Sequence, residues 1–141
     1  MGDEREAGAL PSPEVPVLDP RVLADLREIL DDDVDAIVAE YLRDAQRLAA
    51  EAQSALAGGD PTTLRRAAHS LKSASATVGA TALSRVCARV EAALRHGDVA
   101  AAAPDVPLIA DLERRSARAI EALGAGGAGP APPGPGTQPP T

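Results

Sequence analysis

One short stretch of the chain holds the residues whose types and spacing could do chemistry. It reads HSLKSASATVGA and runs from His69 to Ala80. A neutral imidazole is a nucleophile near neutral pH, and an ammonium group three residues later lies on the same face of a helix, where it can stabilise an anion. The pairing of His69 with Lys72 therefore indicates a histidine that carries a negatively charged group.

The helix predicted around His69 turns the imidazole toward solvent. At roughly 100° per residue, His69 falls about 160° from the centre of the apolar stripe of this helix. The stripe consists of Leu64, Ala67, Leu71, Ser75 and Val78. We therefore expect an exposed ring, surrounded by cations that disfavour its imidazolium form and keep it nucleophilic.

Four further residues on this surface are predicted to dock a partner protein. Ser73 and Ala76 are small and leave one side of the ring open to approach. Arg65 and Arg66 supply positive charge that would steer an acidic partner toward the histidine. For these two arginines the alternative of an ordinary solvated helix face stays open.

Helical periodicity and capping residues predict five helices. Asp19 and Asp60 are predicted N-caps, each followed by a proline in the first turn, and Gly58 and Gly59 are predicted to end a helix in the left-handed conformation. The predicted helices cover about residues 20–30, 33–57, 61–78, 81–96 and 106–123. Their apolar stripes and mostly short connections predict an all-α fold, an antiparallel up-and-down four-helix bundle with a short additional N-terminal helix.

The stripes also predict which apolar side chains lie inside the bundle. Cys87 falls on the inner stripe of the fourth helix, which makes it a packing residue rather than a nucleophile. The first helix contributes Val22, Leu23, Leu26, Ile29 and Leu30. The last contributes Leu108, Ile109, Leu112, Ile120 and Leu123.

Composition predicts three segments. Residues 1–17 are rich in charge and proline without periodicity and are predicted to form a disordered leader, whereas residues 18–123 form the bundle. Residues 124–141 are almost entirely glycine, proline and alanine and are predicted to form a disordered tail.

Charge and cysteine content restrict the partners and the compartment. The net charge of −7 argues against nucleic acid, whose binding depends on neutralising phosphates. A net charge of +4 over residues 61–100, which carry 6 basic and 2 acidic residues, points instead to a small anion or an acidic protein surface. A single cysteine, no signal sequence and no apolar run long enough to span a bilayer predict a cytoplasmic protein that does not contact the membrane. The Asp31–Asp35 cluster complements a helix dipole, and no metal site is predicted.

The stretch that contains His69 resembles the signature of histidine-containing phosphotransfer (HPt) domains. The match runs through His69, Leu71, Lys72, Ser73, Ala74, Gly79 and Ala80 in order. LDPRVLADL near the start, EYLRDA in the second helix and the Gly59–Asp60 pair are also similar to the family. Ser73 stands where the family usually has glycine, which puts partner preference in doubt.

The resemblance implies a phosphorelay intermediate. His69 would accept a phosphoryl group from the receiver-domain aspartate of a hybrid sensor kinase and pass it to a response-regulator aspartate, while Lys72 neutralises the phosphoryl oxygens. Such a protein is a phosphocarrier that needs no cofactor, has no ATP-dependent kinase activity of its own, and relies on Mg²⁺ in the partner receiver domain. It is expected to be a monomer, because the bundle uses up the apolar stripes.

Three alternatives stay open at this point. The protein could be the direct substrate of a histidine kinase, as in the phosphotransfer domain of chemotaxis kinases. It could be a helical docking module in which His69 is incidental. The third, an enzyme with His69 as a general base, lacks a carboxylate or cysteine beside the histidine on its own helix face.

Overall fold

The structure is a computed structural model, and it describes residues 15–124. The predicted leader up to residue 14 and the predicted tail from residue 125 lie outside the described residues. The helices are α1 Pro20–Leu30, α2 Asp33–Ala57, α3 Pro61–Val78, α4 Thr81–Arg95, α5 Val99–Ala102 and α6 Val106–Ala122, with a 3₁₀ turn at Ala103–Asp105.

The four long helices form an antiparallel bundle. α3 packs against α2 and α4, and α6 closes the ring by packing against both α2 and α4. Alternating chain direction makes each long helix antiparallel to its neighbours. The short helix α1 lies against α2 and α3 at one end. This arrangement confirms the predicted fold class.

Small aliphatic side chains fill the core. Alanine, leucine and valine make up most of it, and the largest fully buried side chains include Leu64, Leu71, Ile109 and Leu112. Small residues allow close approach of helix axes, because the distance between axes depends on the side chains at the contact. Truncating one of the buried leucines to alanine costs about 2–5 kcal/mol. Among residues 15–124, no helix is both long and apolar enough to cross a membrane.

Capping residues define the ends of the helices that carry the site. The Asp19 carboxylate accepts from the Arg21 amide, and the Asp60 carboxylate accepts from the Thr63 amide, so both predicted N-caps are present. Of the two glycines after α2, only Gly59 is left-handed, with φ of 68°. The prediction for Gly58 is wrong, because its φ is −86°.

The chain before α1 is tied to the turn between α3 and α4. The Asp19 amide donates to the Gly79 carbonyl at 2.8 Å, and the Ala82 amide donates to the Pro16 carbonyl at 3.1 Å. Val15 and Val17 pack against the core cluster. Packed structure therefore begins no later than Val15, inside the segment 1–17 that was predicted as a leader.

Three further details differ from the sequence prediction. The connection after α4, predicted as a loop, contains α5 and the 3₁₀ turn, and the Asp98 carboxylate caps α5 by accepting from the Ala101 amide. Leu123 is 52% exposed because α6 ends one residue earlier. Ile29 is 74% exposed, since only Leu23 of α1 is buried against the bundle.

Candidate functional site

His69 lies in the middle of α3 with its ring on the outside of the bundle. Its side chain is 59% exposed, so it faces solvent as the helical wheel predicts. The residues that hold α3 in place point the other way: Leu64, Leu71 and Val78 are completely buried. The helix is therefore anchored along one face and presents the imidazole on the other.

The ring contacts a carboxylate that the sequence analysis did not identify. Glu91 of α4 places Oε2 2.7 Å from His69 Nδ1 and Oε1 2.6 Å from Lys72 Nζ. Only 6% of the Glu91 side chain is exposed. One buried carboxylate therefore joins the two predicted residues, and it does so from a different helix.

The sequence carried a weak signal for Glu91. It stands four residues after Cys87, which puts an acid on the edge of the otherwise apolar inner stripe of α4. A carboxylate at such a position needs hydrogen-bond partners, because an unpaired buried charge is costly. The apolar pattern of α4 does not indicate that these partners are Lys72 and His69, because they lie 19 and 22 residues away in the sequence.

The ionisation of Glu91 determines which nitrogen of His69 carries a proton. The pKa of Glu91 is lowered, chiefly by the hydrogen bond from Lys72 and further by that from His69, against the opposing effect of burial. An ionised carboxylate can only accept hydrogen bonds, so Nδ1 must donate. In the neutral ring the lone pair is then on Nε2, the nitrogen that Glu91 does not contact.

Two further contacts organise the same edge of the bundle. The Ser84 hydroxyl of α4 donates to the Lys72 carbonyl at 3.0 Å, which fixes the register of α3 against α4. Arg95, one turn after Glu91, places a guanidinium nitrogen 3.7 Å from Glu91 Oε2. That distance is too long for a hydrogen bond, so the interaction between Arg95 and Glu91 is an ion pair without one.

The predicted docking residues lie around His69, and within residues 15–124 their side chains make no hydrogen bond or ion pair with it. Arg65, Arg66, Ser73 and Ala76 are all exposed. Arg66 also lines a groove of about 360 Å³ between α2 and α3, whose floor includes Leu48 and Ala67. His69 is therefore flanked by Glu91 and Lys72 on the α4 side, and by this groove on the α2 side.

The remaining reactive side chains do not join the site. Cys87 is buried, and burial raises its pKa to about 12, which leaves its thiol protonated. His96 is an exposed C-cap residue at the end of α4. Within residues 15–124, no three His, Cys, Asp or Glu side chains are grouped so that they could hold a metal ion.

Comparison with known proteins matches this chain to one family. The Hpt domain family model matches residues 36–125, which is more than half of the chain. A similar solved structure is the crystal structure of histidine-containing phosphotransfer protein B (HptB) from Pseudomonas aeruginosa PAO1. It is 28% identical, covers 77% of this chain and 94% of its own, and has a TM-score of 0.72. The comparison with curated proteins found no match.

Proposed function

This chain belongs to the Hpt domain family and has a histidine phosphotransfer role in two-component signalling, and from that premise we propose that it is a phosphorelay intermediate. His69 accepts a phosphoryl group from a receiver-domain aspartate of a hybrid sensor kinase and passes it to an aspartate of a response regulator. The observation that carries the proposal is the exposed imidazole, oriented through Nδ1 by a buried carboxylate.

The chemical step is a phosphoryl transfer to Nε2. The Nε2 lone pair attacks the phosphorus atom of the aspartyl phosphate, an N–P bond forms, and the bond from phosphorus to the aspartate oxygen breaks. The aspartate leaves as a carboxylate, and the second transfer repeats these changes in the opposite sense on the next aspartate. Such a transfer depends on in-line positioning of the reacting atoms and on stabilisation of charge. It needs no covalent bond to any other protein group.

Glu91 and Lys72 have separate roles in this step. The imidazole becomes positively charged as the N–P bond forms, and the Glu91 carboxylate stabilises that charge through the proton it holds at Nδ1. Lys72 donates one of its three N–H groups to Glu91 and keeps the others for the phosphoryl oxygens. Glu91 thus positions both His69 and Lys72.

Docking would occur over α3 and the groove beside it. Ser73 and Ala76 keep the surface low next to the ring, and Arg66 adds positive charge at the edge of the groove. Receiver active sites are acidic, so Arg65 and Arg66 would favour encounter. Ser73 adds a hydroxymethyl group where the family usually has glycine, which would shift the preference among receivers.

The proposed relay also depends on partner proteins for ATP and Mg²⁺. The chain supplies a nucleophile and relies on a kinase for ATP chemistry and on the receiver for Mg²⁺. We propose that it acts in the cytoplasm. We also propose that it is a monomer, because the bundle buries its apolar stripes and leaves few large apolar side chains exposed among residues 15–124.

The decisive experiment measures transfer of ³²P from a phosphorylated receiver domain to this protein. The wild-type chain should take up label, and His69→Gln should take up none while keeping the same circular dichroism spectrum. His96→Gln is the matched control, since it removes the other histidine, and it should accept label normally. Uptake by His69→Gln equal to that of the wild type would exclude phosphotransfer through this residue and favour a docking module.

A second arm distinguishes the donor. The same protein is incubated with ATP and a kinase core that lacks a receiver domain. Label that arrives only from the receiver supports the relay. Label that arrives from the bare kinase core, and not from receivers, would identify a direct kinase substrate instead.

A further inference from the structure

Besides Lys72, a second cation, Arg95, lies on the edge of the bundle that α3 and α4 form. Arg95 is the nearest guanidinium to the Glu91 carboxylate, yet its side chain makes no hydrogen bond within residues 15–124. Its side chain is 59% exposed. We propose that Arg95 is a second phosphoryl-contacting residue, which moves from Glu91 to the phosphoryl group when His69 becomes phosphorylated.

The antiparallel packing places Arg95 and Lys72 on opposite sides of the ring. Lys72 lies one turn beyond His69 along α3, and Arg95 lies one turn beyond Glu91 along α4, which runs in the other direction. Since His69 and Glu91 are at the same level, the two cations approach that level from opposite ends. A phosphoryl group on Nε2 would therefore lie between them.

The two cations differ in how firmly they are held. Lys72 makes a 2.6 Å bond to a buried carboxylate, and only 33% of its side chain is exposed. Pulling it away would leave Glu91 without its strongest partner. Arg95 stays 3.7 Å from the same carboxylate, so it can leave without breaking a hydrogen bond.

A guanidinium group is better suited to binding the phosphoryl group of phosphorylated His69 than to binding Glu91 in the unphosphorylated protein. The planar fork of an arginine matches two oxygens of a phosphoryl group in a bidentate arrangement. Before phosphorylation, Arg95 has no such arrangement with Glu91, whose two oxygens already accept from Lys72 and His69 Nδ1 while the guanidinium stays 3.7 Å away. Phosphorylation creates the first anion at this edge that Arg95 could bind with both arms.

This inference rests on the proposed function, and its test must separate the two. Phosphoramidate supplies the phosphoryl group, since its P–N bond breaks with release of ammonia as the N–P bond to His69 forms, and no partner protein is needed. The variants are Arg95→Ala and Arg95→Lys. Arg85→Ala is the control, because Arg85 is an exposed arginine of the same helix roughly 120° around it from Glu91.

Two measurements report on contact with the phosphoryl group. Loss of one bidentate charge-assisted contact should make Arg95→Ala lose its phosphoryl group about tenfold faster than the wild type, with Arg95→Lys in between. In a ³¹P NMR titration, the phosphoryl group of Arg95→Ala should take up its proton at a higher pH than in the wild type, because a nearby cation favours the dianion. A merely structural role would leave that titration unchanged.

The outcomes separate clearly. If the phosphorylated forms of Arg95→Ala and Arg85→Ala have the same lifetime and the same ³¹P titration as the wild type, Arg95 has no contact with the phosphoryl group and this inference is wrong. The proposed function survives that result. If the wild type accepts no phosphoryl group from phosphoramidate or from any receiver, both fail.

Discussion

Glu91 Oε2 lies 2.7 Å from His69 Nδ1, so a buried side chain of α4 orients an exposed ring on α3. The same carboxylate holds Lys72 through its other oxygen. In the proposed reaction, His69 would therefore depend on a residue that no phosphodonor or partner needs to touch.

Removing the Glu91 charge should change the tautomer of His69 as well as its rate of phosphorylation. In Glu91→Ala, Nδ1 loses its acceptor, and we expect the ring to move toward the Nε2–H form, which has no lone pair on the attacking nitrogen. The rate of phosphorylation by phosphoramidate should fall about tenfold to a hundredfold. Imidazole ¹⁵N shifts measure the tautomer directly.

Glu40→Gln serves as the control for this prediction, because Glu40 is an exposed acid on α2. It removes one negative charge and should leave both the tautomer and the rate as they are. An unchanged ¹⁵N spectrum in Glu91→Ala would contradict the assignment of the Nδ1 proton to the Glu91 contact.

The stability of the bundle should rise when Glu113 of α6 is replaced by glutamine, and the gain should depend on pH. Glu113 is 8% exposed and makes no side-chain hydrogen bond or ion pair within residues 15–124, and burial raises its pKa. A raised folded-state pKa means that its favourable contribution is complete below the unfolded pKa and is lost as pH rises through the folded pKa. Glu113→Gln should therefore stabilise by about 1 kcal/mol at pH 7 and hardly at all at pH 4.

Urea denaturation at the two pH values measures this difference. Glu121→Gln, an exposed acid on the same helix, is the matched control and should change stability little at either pH. A loss of stability in Glu113→Gln at pH 7 would mean that the carboxylate has a favourable partner in solution.

Alanine at Gly79 should destabilise the protein far more than alanine at Gly59. Both glycines have positive φ, 84° and 68°, so both substitutions carry backbone strain of about 1–2 kcal/mol. At Gly79 a Cβ would also lie 2.7 Å from the Asp19 carbonyl oxygen, whereas at Gly59 it would meet nothing within 4 Å. We expect a total loss of about 2–4 kcal/mol for Gly79→Ala.

Denaturant midpoints of the two glycine variants give the comparison. Equal losses would show that the segment around Asp19 moves away without cost, and that its hydrogen bond to Gly79 adds little to stability.

Glycine at Asp31 should stabilise the protein. Asp31 joins α1 to α2 with φ of 51° and ψ of −123°, a conformation that favours glycine. Relief of this strain outweighs the added flexibility of the unfolded chain, for a net gain of about 1 kcal/mol. Thermal unfolding measures the gain, and Asp33→Gly, inside the first turn of α2, should instead lose about 0.5–1 kcal/mol. A lower melting temperature for Asp31→Gly would contradict the prediction.

Local signals made most helix ends predictable from the sequence. An aspartate followed by proline marks the start of α1 and of α3, and Gly79 marks the end of α3, because each signal acts within a few consecutive residues. The outward direction of His69 followed from the same local periodicity. Leu123 was misplaced because the apolar pattern continues one residue past the end of α6.

The Glu91 contact could not be predicted in the same way. It depends on how far α4 slides along α3, a register that is set by the turn at Gly79 and Ala80 and by the Ser84 hydroxyl on the Lys72 carbonyl. Periodicity describes the faces of one helix and carries no information on that offset. The sequence therefore indicates His69 and Lys72 as a pair but not the carboxylate that joins them.

Tyr41 is buried where α2 packs into the bundle, and the chain contains no tryptophan or phenylalanine. The near-ultraviolet circular dichroism and the intrinsic fluorescence of the protein therefore come from one phenol inside the core. That phenol is an intrinsic spectroscopic probe of core packing, and partner proteins that contain tryptophan can be followed separately by selective excitation. The composition that limits the core to small aliphatic side chains therefore also means that this protein contributes almost no fluorescence when the tryptophans of a partner are excited selectively.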